Sequence, residues 1–194
     1  MDSLKLIPQI FFDLIGRVVP GALGVVACLL LTGTTWESWL RFTLGQSLAT
    51  GSVSVAILIF LASAYVVGQL LSPVAKIVQR IGELKYFGPK PKADGYDWLR
   101  LHHPDAGAFC AKIRAEFTMH NGVAAVLLVS AVVYPLRGEA WRWSVLIGLA
   151  FGGLLAAYRG RTTRDTFNET VAKFAKAAGF PNVTPKHANG ADAA

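Results

Sequence analysis

The chain has 194 residues, 53% of them hydrophobic and only 16% charged, with a mean hydropathy of +0.44 and a formal net charge of +7. A water-soluble domain of this length carries roughly 25% charged residues to keep its surface wet, so the composition excludes an ordinary soluble enzyme or carrier and points to a surface that faces lipid. The basic balance alone fits nucleic acid, but in a membrane chain it first means Lys and Arg gathered on the cytoplasmic side.

Along the chain, Leu4, Ile7, Phe11, Leu14 and Ile15 make one apolar face ahead of a continuous apolar run over 18–31. This predicts a first span over residues 12–32 with an amphipathic start at the headgroups. Asp13 and Arg17 stand four apart, the spacing at which opposite charges pair on a helix, and Pro20-Gly21 predicts a kink. Trp36 and Trp39 follow as an interfacial belt. Residues 42–75 carry no charge, and 52–71 is about 20 residues, enough for a second span. Beyond Pro73, Val74, Ile77, Val78, Ile81 and Leu84 recur at helical spacing, with Lys76, Arg80 and Lys85 at other positions. That helix is expected to leave the membrane on its basic side.

Residues 86–104 contain Gly88-Pro89, Pro91, Asp94-Gly95 and Pro104 and read as a loop. Pro104-Asp105 then opens a helix that carries Phe109, Ile113 and Phe117 into a short third span over 117–136. Arg137-Gly138-Glu139-Ala140 is a tight connection, Trp141 and Trp143 form a second belt, and a fourth span over 141–158 ends in Arg159, Arg161 and Arg164. Thr162 or Thr163 is placed to cap a separate amphipathic tail helix with Phe167, Val171 and Phe174 on one stripe, which Gly179 and Pro181 would stop. Residues 182–194 read as disordered.

The expected fold class is all-α: a four-transmembrane-helix bundle with cytoplasmic helical extensions and both termini in the cytoplasm. Its parts are spans one and two with the amphipathic start (1–72), a cytoplasmic helical loop (73–118), spans three and four (119–158), and a cytoplasmic amphipathic helix with its tail (159–194). With the loops threaded in–out–in–out–in, sixteen of the nineteen Lys and Arg fall on the cytoplasmic side, leaving Arg41, Arg137 and Arg142 outside. That asymmetry sets the orientation; the expected location is a bacterial inner membrane. Direct nucleic-acid binding is not expected once topology accounts for the charge.

Small residues recur every four positions in span four, as Ser144, Gly148, Gly152, Ala156 and Gly160. In lipid, close backbone approach is what rewards helix association, so this strip reads as an oligomer or pore-lining face. A shorter strip, Ala64-Gly68-Ser72, lies in span two; packing of spans two and four within one subunit is the other reading of both. The span interiors carry no ionisable residue, which argues against ion-coupled transport. Ser54, Ser63, Gln69 and Ser130 are left to line a pore or to support packing.

On the cytoplasmic side, Lys76, Arg80, Lys112 and Arg114 form the candidate surface for a protein partner or an anionic ligand. Arg114 and His120 fit the loose Arg-x4–6-His pattern of HEPN-type ribonucleases, but the pattern is weak and two interfacial side chains are the favoured reading of the pair. His102, His103, Cys110 and His120 match no standard zinc spacing. No metal, cofactor or catalytic residue is expected, and the divided cytoplasmic mass is too small for an independent catalytic domain.

The segments Phe11-Phe12-Asp13-Leu14-Ile15-Gly16-Arg17-Val18-Val19-Pro20-Gly21 and Tyr65-Val66-Val67-Gly68-Gln69-Leu70 resemble parts of small uncharacterised bacterial multi-spanning membrane proteins. Some of those are encoded in anti-phage defence islands. The likeness covers the first two spans and implies a membrane effector or accessory subunit that answers to a cytoplasmic signal; it carries no active-site residue across. The expected function is therefore a homo-oligomeric membrane effector or sensor, pore-forming or permeability-altering. A passive anchor for a soluble partner and a HEPN-like nuclease are the alternatives.

Overall fold

The computed structural model describes residues 3–35, 37–39, 41, 53–83, 95–137 and 143–180. They include the α-helices named here α1 (Ser3–Thr32), α2 (Val53–Glu83), α3 (Tyr96–His102), α4 (Pro104–Val133) and α5 (Trp143–Ala177), with a 3-10 turn at Tyr134–Arg137 after α4. Among the described residues there is no strand. Trp36, Lys85, Lys90, Lys92, Glu139, Trp141, Arg142 and the tail over 182–194 lie outside the described residues, as do the side chains of Asp13, Ser54 and Ile81.

Four helices are long and apolar enough to cross a membrane, and the chain is a membrane protein. The qualifying segments are Leu14–Thr32, Val55–Arg80, Pro104–Leu136 and Trp143–Ala177. The surfaces they leave are apolar: Leu58 is 65% exposed, Leu70 71%, and Phe151, Leu154 and Tyr158 are similarly bare. Patches of that size are untenable in water and ordinary against acyl chains. At 1.5 Å per residue the 33- and 35-residue segments reach about 50 Å, well beyond the roughly 30 Å hydrocarbon layer. So α4 and α5 each hold a span and a long extension in one unbroken rod.

Two expectations are corrected. The tail helix is not separate: α5 runs through 159–163 without a break, and the Thr162 and Thr163 hydroxyls donate to the Arg159 carbonyl at 2.9 Å inside the helix rather than capping a new one. A hydroxyl bonded to the turn behind it leaves the helix intact, and polar residues at the exit of a span do not end it. Residues 86–104 are also not all loop, because Tyr96–His102 is helical. Pro20 lies inside the assigned helix α1, and Pro73 lies inside α2, where the helix goes on to Glu83 as the spacing predicted.

The helices touch where side chains are smallest. A Cβ on Gly21 would overlap the Ala64 carbonyl oxygen, and one on Gly68 would overlap the Arg17 carbonyl, so α1 and α2 meet backbone to backbone. Gly16 faces Ala115, Pro20 faces Gly122 and Gly24 faces Val126, so α1 and α4 run in the same direction. Gly153 packs on Leu128, Gly160 on Asn121 and Phe174 on Phe109, which makes α4 and α5 antiparallel over their whole length.

Candidate functional site

Among the described residues a cluster of buried apolar side chains lies at the shared end of α4 and α5. Its buried residues are Tyr96, Leu99, Cys110, Ile113, Phe167, Val171 and Ala175, from three helices. Local chemistry explains how α3 comes to complete it. Gly95 takes φ 106°, a left-handed conformation that glycine adopts without strain, and lets the chain turn into α3 beside Ala175 and Phe180. His103 is kept out of the helical region by the proline that follows it, at φ −133° and ψ 75°, and Pro104 starts α4 where its missing N–H costs nothing. A sharp helix–helix corner results. Gly107 then admits the α3 backbone, since a Cβ there would lie 2.8 Å from the Arg100 Cα.

The far side is closed by the end of α5. Gly179 has φ 75°, the Phe180 N–H donates to the Ala175 carbonyl at 2.9 Å, and the Gly179 N–H donates to Lys176 at 3.2 Å. This is a Schellman cap, and it turns Phe180 onto the Trp98 ring at a centroid distance of 5.3 Å. Gly179 thus stops the helix as the sequence indicates. Phe167 and Val171 are buried in the core, while Phe174 is 37% exposed and meets Phe109 edge-on.

The basic candidates divide between elements. Lys76 and Arg80 are exposed on α2, and Lys112 and Arg114 on α4. Two residues apart on a helix is about 200° of rotation, so Lys112 and Arg114 point to opposite sides. Arg114 is drawn to another element instead: its guanidinium carbon sits 5.2 Å from the centre of the Tyr96 ring, and that of Arg100 sits 5.7 Å from the same ring. Sequence reading passed over Tyr96 and Arg100 because their segment read as a loop. The available signal was their separation of four, which places them on one face once a helix is granted.

The small-residue candidates also separate. Ala64 and Gly68 are buried in the α1–α2 contact within the chain. In α5 the strip does not hold to one face. Each four-residue step advances about 40° beyond a full turn, so four steps wind from Ser144 to Gly160 through about 160°. Accordingly Ser144 and Gly148 are exposed, with nothing within 4 Å of a Cβ built on Gly148. Gly152 only touches Leu127, Ala156 is half-buried, and Gly160 is pressed on Asn121 and His120. Within one chain, then, the Gly160 end of the strip packs on α4 while the Ser144–Gly148 end is open.

Arg114 and His120 do not converge. One lies over Tyr96 and the other against α5 beside Gly160, and six residues of helix put them about 120° apart. His102 stacks on Trp98 at 4.8 Å and His103 meets the same ring tilted at 5.2 Å, and the His102 Nδ1 lies 3.0 Å from the Trp98 carbonyl oxygen. Among the described residues no three His, Cys, Asp or Glu are grouped to hold a metal ion.

Cys110 has no exposed surface, and burial pushes its thiol pKa up. It sits in the core shared by α3, α4 and α5. Thiolate is the reactive form, so Cys110 in the folded protein is expected to alkylate with iodoacetamide at pH 7.5 at least about tenfold more slowly than after denaturation in SDS. Mass spectrometry of a time course reads this out; equal rates would mean that the core is open. No protein-family profile, curated protein or solved structure matches this chain, so its function is read from its own residues.

Proposed function

We propose that the chain is a homo-oligomeric effector or sensor of a bacterial inner membrane, with the α3–α4–α5 cluster in the cytoplasm controlling how its spans pack. The observation that carries this reading is the continuity of α4 and α5. The same two rods supply both the cluster core and two spans, so a ligand or partner that shifts the cluster must move the spans as well. Orientation follows from charge: Lys76, Arg80, Lys112, Arg114, Arg159, Arg161 and Arg164 all belong to the ends assigned to the cytoplasm. The parallel course of α1 and α4 and the antiparallel course of α5 agree with that threading. The output is a change in permeability, and the resemblance of the first two spans is the ground for assigning it to anti-phage defence.

Self-association is supported by the open outer end of α5, where Gly148 leaves space for a neighbouring helix. A Gly148→Leu chain is expected to keep its helicity and its fold while shifting from several copies per nanodisc to one. Native mass spectrometry measures the number of copies, and dye release from liposomes measures permeability. A wild-type protein with one copy per particle would end the oligomer reading. A passive anchor is the second reading, favoured by Leu101 at 80% and Phe109 at 51% exposed on the cluster, where a soluble partner would cover them. An oligomer that never alters permeability, with or without such a partner, would favour the anchor.

A further inference from the structure

We propose that the outward face of α2 around Tyr65 and Gln69 is a contact between two copies of this chain, closed by hydrogen bonds within the membrane. The Gln69 Nε2 donates to the Tyr65 hydroxyl at 2.9 Å, one turn apart on the helix. Among the described residues that bond leaves the Tyr65 O–H, the Gln69 Oε1 and the second amide N–H without a partner. Neither side chain is turned inward: Tyr65 is 39% exposed and Gln69 is half-buried. The line through them runs roughly 100° around α2 from Ala64 and Gly68, which α1 already covers.

Depth makes that exposure costly. Lys76 is the first charge beyond the span. At 1.5 Å per residue Gln69 lies about 10 Å and Tyr65 about 16 Å along α2 from it, against roughly 30 Å of hydrocarbon. Helix side chains lean toward the N-terminus, here away from the Lys76 end, so neither group reaches back to the nearer headgroups. A phenol O–H and a carboxamide that face acyl chains lose the hydrogen bonds water would supply. Against another helix they recover them.

The groups on this face fit a second copy of it. Tyr65 offers a donor and Gln69 an acceptor at one place, so two such faces about a two-fold axis along the membrane normal are complementary in charge. Each Tyr65 O–H then donates to the Gln69 Oε1 of the second copy. Leu58, Ala62, Tyr65, Gln69 and Ser72 follow one another at steps of four, three, four and three. They fall within an arc of about 80°, the spacing of a seam between two parallel helices. Ala62 is small and exposed, which permits close approach, and one polar layer in such a seam fixes its register. Lys76 and Arg80 continue the same face, and their like charges end the contact beyond Pro73. This inference rests on the oligomeric reading above and gives it a helix face other than the outer end of α5.

The test uses the full chain in liposomes, in a Cys28→Ser background, with copper phenanthroline as oxidant. Ala62→Cys is expected to give at least about five times more disulfide-linked dimer than Leu70→Cys. Leu70 is 71% exposed but lies about 140° around α2 from Tyr65. Adding Gln69→Leu and Tyr65→Phe to the Ala62→Cys chain should cut its linked dimer at least fivefold. Both substitutions remove polar atoms from the lipid face, so a face that met only acyl chains would lose nothing by them. Circular dichroism and slow Cys110 alkylation certify the fold; should the combined variant fail that check, Ala62→Cys against Leu70→Cys carries the comparison. Equal linkage at positions 62 and 70, or a combined variant that links as well as its parent, overturns the contact. Copy number per nanodisc separates this contact from the one at Gly148. If Gly148→Leu lowers it while Gln69→Leu with Tyr65→Phe does not, the α2 contact falls and the oligomer reading stands; the reverse supports the α2 contact and removes Gly148 from that reading.

Discussion

A leucine at position 68 is expected to force α1 away from α2 and to lower the stability of the folded chain by about 3 kcal/mol. Over-packed sites are often rescued by a neighbouring side chain that swings away, but here there is none to move. A Cβ at Gly68 meets the Arg17 carbonyl, and one at Gly21 meets the Ala64 carbonyl and comes within 2.8 Å of the Gly68 nitrogen. Both partners are helix backbone, so the whole helix must shift, and the loss reaches α4 through Gly16 and Pro20. Thermal unfolding in detergent, followed by circular dichroism, gives the comparison. Gly68→Leu should melt well below wild type, Gly68→Ala between the two, and Gly148→Leu near wild type, because Gly148 faces open space. If Gly68→Leu and Gly148→Leu melt together, the α1–α2 contact is not a backbone contact.

The second large effect is expected in the cluster. Leu99 has no exposed surface and, with Val171 and Cys110, is among the largest fully buried side chains of the described residues. So few large groups hold α3 that Leu99→Ala, which costs about 2–5 kcal/mol at a buried leucine, should release it. Hydrogen exchange over 96–102 should rise by two to three orders of magnitude, and Cys110 should alkylate faster, while the span helices keep their protection. Unchanged exchange at 96–102 would show that the Gly95 turn and the His103–Pro104 corner hold α3 by themselves.

The two predictions probe different kinds of packing, and that difference explains what was readable in advance. The four apolar helices are written in composition, since a run such as 52–71 has no charge and no alternative to lipid. The same holds for the helical continuation past Pro73, where Ile77 and Val78 keep the period, and for the Gly179 stop. Short-range reading failed where one local signal had two outcomes. Gly and Pro around 86–104 mark turns, and they do so here, at Gly95 and Pro104; what they could not reveal is that seven residues between two turns gain a hydrophobic partner and become α3. Thr162 and Thr163 are good caps in isolation, yet they bond backward to Arg159 because the core at Phe167 and Val171 favours a continuous rod.

The candidate site shows the same division. Sequence alone determined that this is a helical membrane protein with four helices apolar enough to cross a membrane and with Lys and Arg gathered outside their most apolar stretches, because hydropathy and charge act residue by residue. Only the tertiary structure decided which of those residues meet. It turned an apparent single strip in α5 into an outward end at Gly148 and an inward end at Gly160, because a four-residue repeat outruns the 3.6-residue turn. It also brought Arg100 and Arg114 to one ring, that of Tyr96. Contacts of that kind depend on a corner at His103–Pro104 and on the absent side chain of Gly107, and no pattern along the chain encodes the position of a neighbour 14 residues away.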